Sequence, residues 1–179
     1  MKKFLIIAAT LIITSCAIGA GENSRVIGGR NGFFPRLSGI NLEGTKHQMP
    51  QTFKNKINVV VFYFTYEQQA DAYDWFEIVE QVSKQYPEVS FYEIPVMNQK
   101  NVLLRGIINN ELRRDAIDDE ARKRTIAVYT DLEKFFKTMK MKEDQVYLLV
   151  VGENGKMMQR IEGGTSKENV ELFKKKWSF

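Results

Sequence analysis

Strands that alternate with helices and close on a hairpin and a last helix predict an α/β domain with a mixed central β-sheet flanked by helices. Three observations carry this reading. Asn58-Val59-Val60-Val61-Phe62-Tyr63-Phe64 is a continuous β-branched and aromatic run. Apolar residues recur at helical spacing directly behind it, and two further apolar runs flank Gly152-Glu153-Asn154-Gly155.

Taken in order, residues 34–44 alternate apolar and polar side chains and end at Gly44, which predicts short edge strands. Residues 58–64 have no polar alternation, so this strand is expected to be buried on both faces. Thr65 with Gln68 has the spacing of a capping box, and Ala72, Trp75, Phe76, Val79, Val82 and Tyr86 then form one helical stripe that Pro87 closes. Residues 89–94 read as a strand stopped by Pro95, which has no N–H for a ladder. A helix is expected over 101–114 with Leu104, Ile107, Ile108 and Leu112 inward, followed by a charged helical turn over 118–124. The strand 125–129 leads into a second capping box, Thr130 with Glu133, and a helix through Phe135, Phe136 and Met139. Residues 146–151 and 157–161 form the hairpin. The last helix opens at Thr165-Ser166-Lys167-Glu168 and runs toward Trp177.

The first residues carry a different signal. Lys2 and Lys3 precede the apolar run of residues 4–13, and Thr14 and Ser15 stand before Cys16, the single cysteine of the 179 residues. That is a charged, then apolar, then small-residue leader, with an apolar run too short for the roughly 20 residues of a bilayer-spanning helix. Ile13-Thr14-Ser15-Cys16 resembles the lipobox of bacterial lipoproteins, in which the cysteine sulfur takes a diacylglyceryl group and becomes the first residue of the mature chain. With an N-acyl chain added, attachment is durable where one acyl chain would be marginal. Ordinary cleavage near Gly19-Ala20-Gly21, giving a soluble exported protein, is the alternative. The expected organisation is a signal peptide over 1–15, a Gly- and Asn-containing tether over 16–33, and one domain over 34–179. The expected location is the periplasmic side of a bacterial envelope membrane, and Ala17 in place of an aspartate after the cysteine points to the outer one.

Removal of Lys2 and Lys3 leaves 24 basic against 22 acidic residues, a formal charge of +2 instead of +4. Such a balance gives no reason to expect nucleic acid as a partner. A chain of this length is enough for one domain, which buries about two-thirds of its unfolded surface.

The element order, the Phe34-Pro35 entry, the strand end Phe62-Tyr63-Phe64-Thr65 and the hairpin at Asn154-Gly155-Lys156 resemble the thioredoxin-like superfamily, in its redoxin and peroxiredoxin-type branch. Further along, several features are similar to the mitochondrial ATP synthase assembly factor family and its bacterial thioredoxin-like relatives. These are Tyr92-Glu93-Ile94-Pro95-Val96, the helix with Arg105 and Arg113, Arg122-Lys123-Arg124-Thr125, and Tyr129-Thr130-Asp131. The superfamily resemblance implies redox cysteines between the first core strand and its helix, and a cis-proline before the hairpin. Here Thr65-Tyr66-Glu67-Gln68-Gln69 fills the first position, with Glu67 or Gln68 where the nucleophile would stand, and Glu143-Asp144-Gln145-Val146 fills the second without a proline. Exchange of thiols requires a thiolate, so neither thiol-disulfide exchange nor peroxidase chemistry is expected.

Three groups of side chains remain as candidates. Thr65, Tyr66, Glu67 and Gln68 are a candidate binding segment, or, in the alternative reading, the site of a cysteine-independent enzyme that uses glutathione or a metal. Arg105, Arg113, Arg122 and Arg124, with Arg114 and Lys123, are interleaved with acids and read as a salt-bridged surface or as a docking face for an acidic partner or a lipid head group. His47, the only histidine, has no neighbouring His or Cys to make a metal site and reads as a solvated loop residue. The sequence reading is thus a membrane-anchored assembly factor that binds a protein partner, with no catalytic residue, no cofactor and no metal.

Overall fold

The computed structural model describes residues 32–98 and 102–175. Seven strands form one mixed sheet. They are β1 (Leu37–Asn41), β2 (Lys46–Met49), β3 (Ile57–Tyr63), β4 (Val89–Asn98), β5 (Ile126–Thr130), β6 (Tyr147–Gly152) and β7 (Met157–Glu162). Their spatial order is β2-β1-β5-β4-β3-β6-β7. The β3–β4 and β4–β5 pairs are parallel and all others antiparallel. Five helices complete the described residues: α1 (Gln69–Gln85), α2 (Val102–Asp115), α3 (Asp119–Arg124), α4 (Leu132–Met139) and α5 (Lys167–Lys175). None of the described helices is long and apolar enough to cross a membrane.

The period-2 pleat of β3 assigns its side chains to two cores. Val60 and Phe62 join Ile94, Val96, Ile126, Val128 and the α4 residue Phe135 on one face. Val59, Val61 and Tyr63 meet Ala72, Trp75 and Val79 of α1 and Phe173 of α5 on the other. Aromatic rings lock both layers: Phe62 lies edge-on to Phe135 at 5.5 Å between centroids, and Trp75 edge-on to Phe173 at 5.9 Å. The Trp75 indole N–H donates to the Gly163 carbonyl at 3.0 Å, so its one polar atom is satisfied inside the core.

Several expectations are corrected. β1 is not an edge strand; it lies between β2 and β5, and β2 is the edge. His47 is on β2 and not in a loop. It is half-buried, with Nδ1 3.5 Å from Thr52 Oγ1, and burial followed by the nearby Lys54 charge lowers its pKa. Pro95 does not stop its strand, because β4 runs on to Asn98. Pairing with β3 ends at Tyr63↔Pro95, while the β5 ladder is broken between Glu93↔Thr125 and Val96↔Val128, so the missing N–H falls where no ladder bond is made. On α2, Leu104 and Ile107 are exposed and only Ile108 and Leu112 are half-buried. The inward face is set by a polar contact, Tyr129 Oη donating to Asn109 Oδ1 at 2.7 Å.

The capping boxes are also displaced. Gln68 makes no side-chain cap for α1. α4 is capped by Asp131, which accepts from the Lys134 N–H, because Thr130 is buried as the last residue of β5. At α5 it is Ser166 Oγ that accepts, from the Asn169 N–H at 3.2 Å. The far end of α4 is closed by Arg160 of β7, whose guanidinium donates to the Met139 and Lys140 carbonyls at 2.8 and 2.7 Å.

Gly32 and Phe33, assigned above to the tether, pair with the hairpin. Phe33 bridges Lys156, and the Met157 N–H donates to the Gly32 carbonyl at 2.7 Å. Cys16, the leader, the rest of the tether, and Asn101 and Trp177 at two expected helix ends lie outside the described residues.

Gly39 marks where β1 crosses closest to β5. A Cβ there would stand 2.5 Å from Ile126 Cγ2 and 2.9 Å from the Ala127 carbonyl oxygen, and the latter cannot rotate away. Gly39→Ala should therefore lower unfolding free energy by about 1–3 kcal/mol in urea titration, as overpacking does, whereas Gly44→Ala, with nothing within 4 Å, should act only through its positive φ.

Candidate functional site

The segment between β3 and α1 leaves the sheet at a fixed point. Phe64 is wedged among Phe135, Phe136 and Tyr147, with centroids 4.8 Å apart at its tightest contact, to Phe136. Thr65 is half-buried, Tyr66 is 74% exposed, Glu67 is exposed and Gln68 is buried. The Gln68 amide is committed at both ends: Oε1 accepts the Phe64 N–H at 2.8 Å, and Nε2 donates to the Glu143 carbonyl at 2.6 Å. One side chain thus ties the β3–α1 loop to the loop before β6, the two places where the superfamily resemblance puts thiols and cis-proline. The described cis peptide is elsewhere, at Met49-Pro50.

Glu67 is a solvated carboxylate. Its own backbone N–H, and secondarily the Thr65 hydroxyl, hold its pKa below the ordinary value. A general base working near neutrality needs the opposite shift. The descriptions of residues 65–68 are therefore those of a structural clamp, Gln68, with one exposed aromatic ring, Tyr66, beside it. Among the described residues no group of three or more His, Cys, Asp or Glu could hold a metal ion.

The arginines do not converge on one point. Arg105 lies over the Tyr129 ring at 4.9 Å, and Arg113 Nε donates to the Leu42 carbonyl at 2.7 Å. Arg122 pairs with Asp119 at 2.9 Å and Lys123 with Glu120 at 2.6 Å along α3. Arg124 is stacked over Phe76 at 3.7 Å. Each is engaged within the chain, Arg122 and Lys123 by ion pairs, Arg105 and Arg124 on aromatic rings and Arg113 on a carbonyl. Arg114 stands apart at 76% exposure, with Asp115 no nearer than 3.7 Å.

Two features escaped the sequence reading. A groove of about 590 Å³ beside the hairpin is lined by Phe33, Met139, Met141, Met157, Met158 and Arg160. The second feature is a buried acid. Glu93 is 7% exposed on the central strand β4, on the face covered by α1. Its Oε2 is 3.2 Å from Thr125 Oγ1, while that hydroxyl is 2.7 Å from the Ala121 carbonyl. The Thr125 hydroxyl hydrogen is shared between the Ala121 carbonyl and the more distant Glu93 Oε2. Burial raises the Glu93 pKa, opposed by hydrogen bonds from Tyr63 and Thr125 and by the Arg124 charge. The only sequence signal was a charged residue at an inward position of an apolar strand.

The class is now defined: a thioredoxin-like fold whose reactive position is filled by an amide clamp. Similar solved structures include yeast Sco1 (8% identity, TM-score 0.55, covering 84% of this chain and 98% of that one). BsSco, a member of the Sco family of cytochrome c oxidase assembly proteins, is similar at 12% identity and TM-score 0.53 over 86% and 95% of the two chains. The thioredoxin domain of a thiol-disulfide oxidoreductase from Bacteroides vulgatus is similar at 15% identity and TM-score 0.52 over 87% and 100%. At these identities the likeness is one of fold. No curated protein matches the sequence significantly. The family described as ATP10 protein matches residues 29–177, and the chain belongs to that family.

Glu93 yields a prediction with a definite sign. A carboxyl whose folded pKa is raised contributes its full stability below the unfolded value near 4.5, and that contribution is lost as pH rises toward the folded value. Glu93→Gln keeps the neutral hydrogen-bonding shape. It should match the wild type in melting temperature at pH 4, exceed it at pH 7, and flatten the profile between them. Gln68→Ala should cost about 1–3 kcal/mol in urea titration, since it strands a Phe64 N–H and a Glu143 carbonyl.

Proposed function

We propose that the chain is an exported, lipid-anchored assembly factor that works by holding a protein partner and performs no thiol chemistry. Membership in the ATP10 family supports an assembly-factor role. The observation that carries the non-redox part is the Gln68 clamp. The place where a thiolate would act is occupied by an amide with both of its polar atoms already bonded to backbone. The lone sulfur, Cys16, is the proposed site of lipid attachment, which removes it as a thiol.

In this reading the anchor keeps the domain at the periplasmic surface of an envelope membrane, the outer membrane by the residue after Cys16, and the partner is a membrane protein under assembly. Contact surfaces on the folded domain are its exposed aromatic and apolar side chains, Tyr66 among them. Glutathione or metal chemistry at Thr65–Gln69 gains no support from a fully solvated Glu67 and a bonded Gln68.

The full chain, purified from membranes, is expected to show no insulin reduction and no hydroperoxide consumption, and mass spectrometry is expected to find a diacylglyceryl-modified Cys16 as its first residue. A lysine-reactive cross-linker applied to intact membranes is expected to recover one specific protein. Stoichiometric insulin reduction would overturn the non-redox reading, and a free amine at residue 17 or later would overturn the anchor.

A further inference from the structure

The groove beside the hairpin lies where the chain enters the fold. Gly32 and Phe33, the first described residues, line it together with Met157 and Met158 of β7. Phe33 is 41% and Met158 38% exposed, whereas Met139, Met141 and Leu149 are buried and make its floor. The lining is apolar and rich in thioethers, which are polarisable and adapt to irregular shapes. At about 590 Å³ the groove has room for more than one side chain.

What stands nearest to this groove is the chain's own upstream segment. The Gly32 carbonyl accepts from the Met157 N–H and Phe33 bridges Lys156, so the polypeptide is fastened to β7 at the groove's rim. Beyond that bridge no described strand lies against the outer edge of β7. Gly32 has a φ of 80°, which glycine adopts at no steric cost and which turns the chain at this point. Upstream, Val26-Ile27 is the one pair of β-branched apolar residues between Cys16 and Gly32. Ile27 is five residues from Gly32, a reach of up to about 16 Å when extended. Covalent linkage presents the pair to the groove at an effective concentration of about millimolar. Any free occupant has to displace it.

We propose that Val26-Ile27 docks in the groove, against Met139, Met141, Met157 and Met158, as a strap formed by the chain's own tether across the end of the sheet. The pair is retained in either processing of the leader, at Cys16 or near Gly19-Ala20-Gly21, so the strap does not depend on the anchor. With Cys16 as the anchor, docking leaves residues 17–25 as the leash instead of 17–31. A competing apolar segment that displaces the strap therefore also lengthens the leash.

The test places p-benzoylphenylalanine at Ile27 in the full-length chain in its own membranes, irradiates, and maps both ends of the adduct by mass spectrometry. The expected adduct has the mass of one chain and joins residue 27 to Met139, Met141, Met157 or Met158. Adducts to lipid, to another protein, to a second copy or to a different face of the domain overturn the proposal, as does the absence of any adduct. A second measurement avoids the bulky probe. In the purified full chain, Val26→Asp combined with Ile27→Asp should speed hydrogen peroxide oxidation of Met157 and Met158 at least about threefold, because sulfoxide formation follows exposure. Met97, on β4, should oxidise at an unchanged rate. The swap Val26→Ile with Ile27→Val, which keeps the pair apolar, should protect as the wild type does. Equal rates in the wild type and the Asp variant, or an acceleration shared by Met97, sinks the strap. Neither measurement needs a partner or a lipid on Cys16, so its failure leaves the binding reading where it stood.

Discussion

Strand β3 has no polar face, and the rest of the molecule is arranged around that constraint. Val59, Val60, Val61 and Phe62 are each fully buried, so the sheet must be covered twice: by α1 and α5 over the odd positions, by α4 and the Phe34–Phe53 pair over the even ones. Burial at both faces also requires paired backbone on both sides, and β4 and β6 supply it. The chain therefore leaves β3 at a rigid point, with Phe64 held in an aromatic socket, and Gln68 arrives within reach of two backbone groups that nothing else satisfies.

The clamp changes what this end of the fold is for. In a dithiol enzyme the loop after this strand must expose a sulfur and tolerate attack on it. Here the corresponding loop is cross-braced to residues 142–145, where Tyr147 Oη accepts from the Lys142 N–H and from Gln145 Nε2 at 2.7 and 2.9 Å. Polar atoms are spent on holding shape. The same economy applies to Arg105, Arg113, Arg122 and Arg124, each of which stacks on a ring, meets a carbonyl or pairs with an acid of its own helix.

Pattern alone made β3, α1 and the hairpin legible, because each is a long periodic or turn-bounded run. Local chemistry was less reliable. Thr65, Thr130 and Thr165 all have capping-box spacing, yet the bonds are made by Gln68 in a different role, Asp131 and Ser166. Cap choice depends on where the strand ends in three dimensions, as Thr130 shows by being buried in β5. Pro95 was misplaced because a missing N–H matters only if a ladder bond would have been made there. For α2, periodicity pointed Leu104, Ile107, Ile108 and Leu112 inward, whereas the Tyr129–Asn109 hydrogen bond, invisible in one dimension, turns a different face to the sheet. Glu93 was readable as part of a family-like string but not as a buried acid, since burial comes from α1 crossing over it.

The bridge from Phe33 to Lys156 fixes where the polypeptide is fed into the sheet: at the β7 margin. Helix α2 packs over β5 and Leu42, four strand spacings away, which is about 19 Å at ordinary sheet separation. The entry point and α2 are thus offset sideways across the sheet. A force applied between them would run across the strands, along the interstrand hydrogen bonds, and load the ladders in tension.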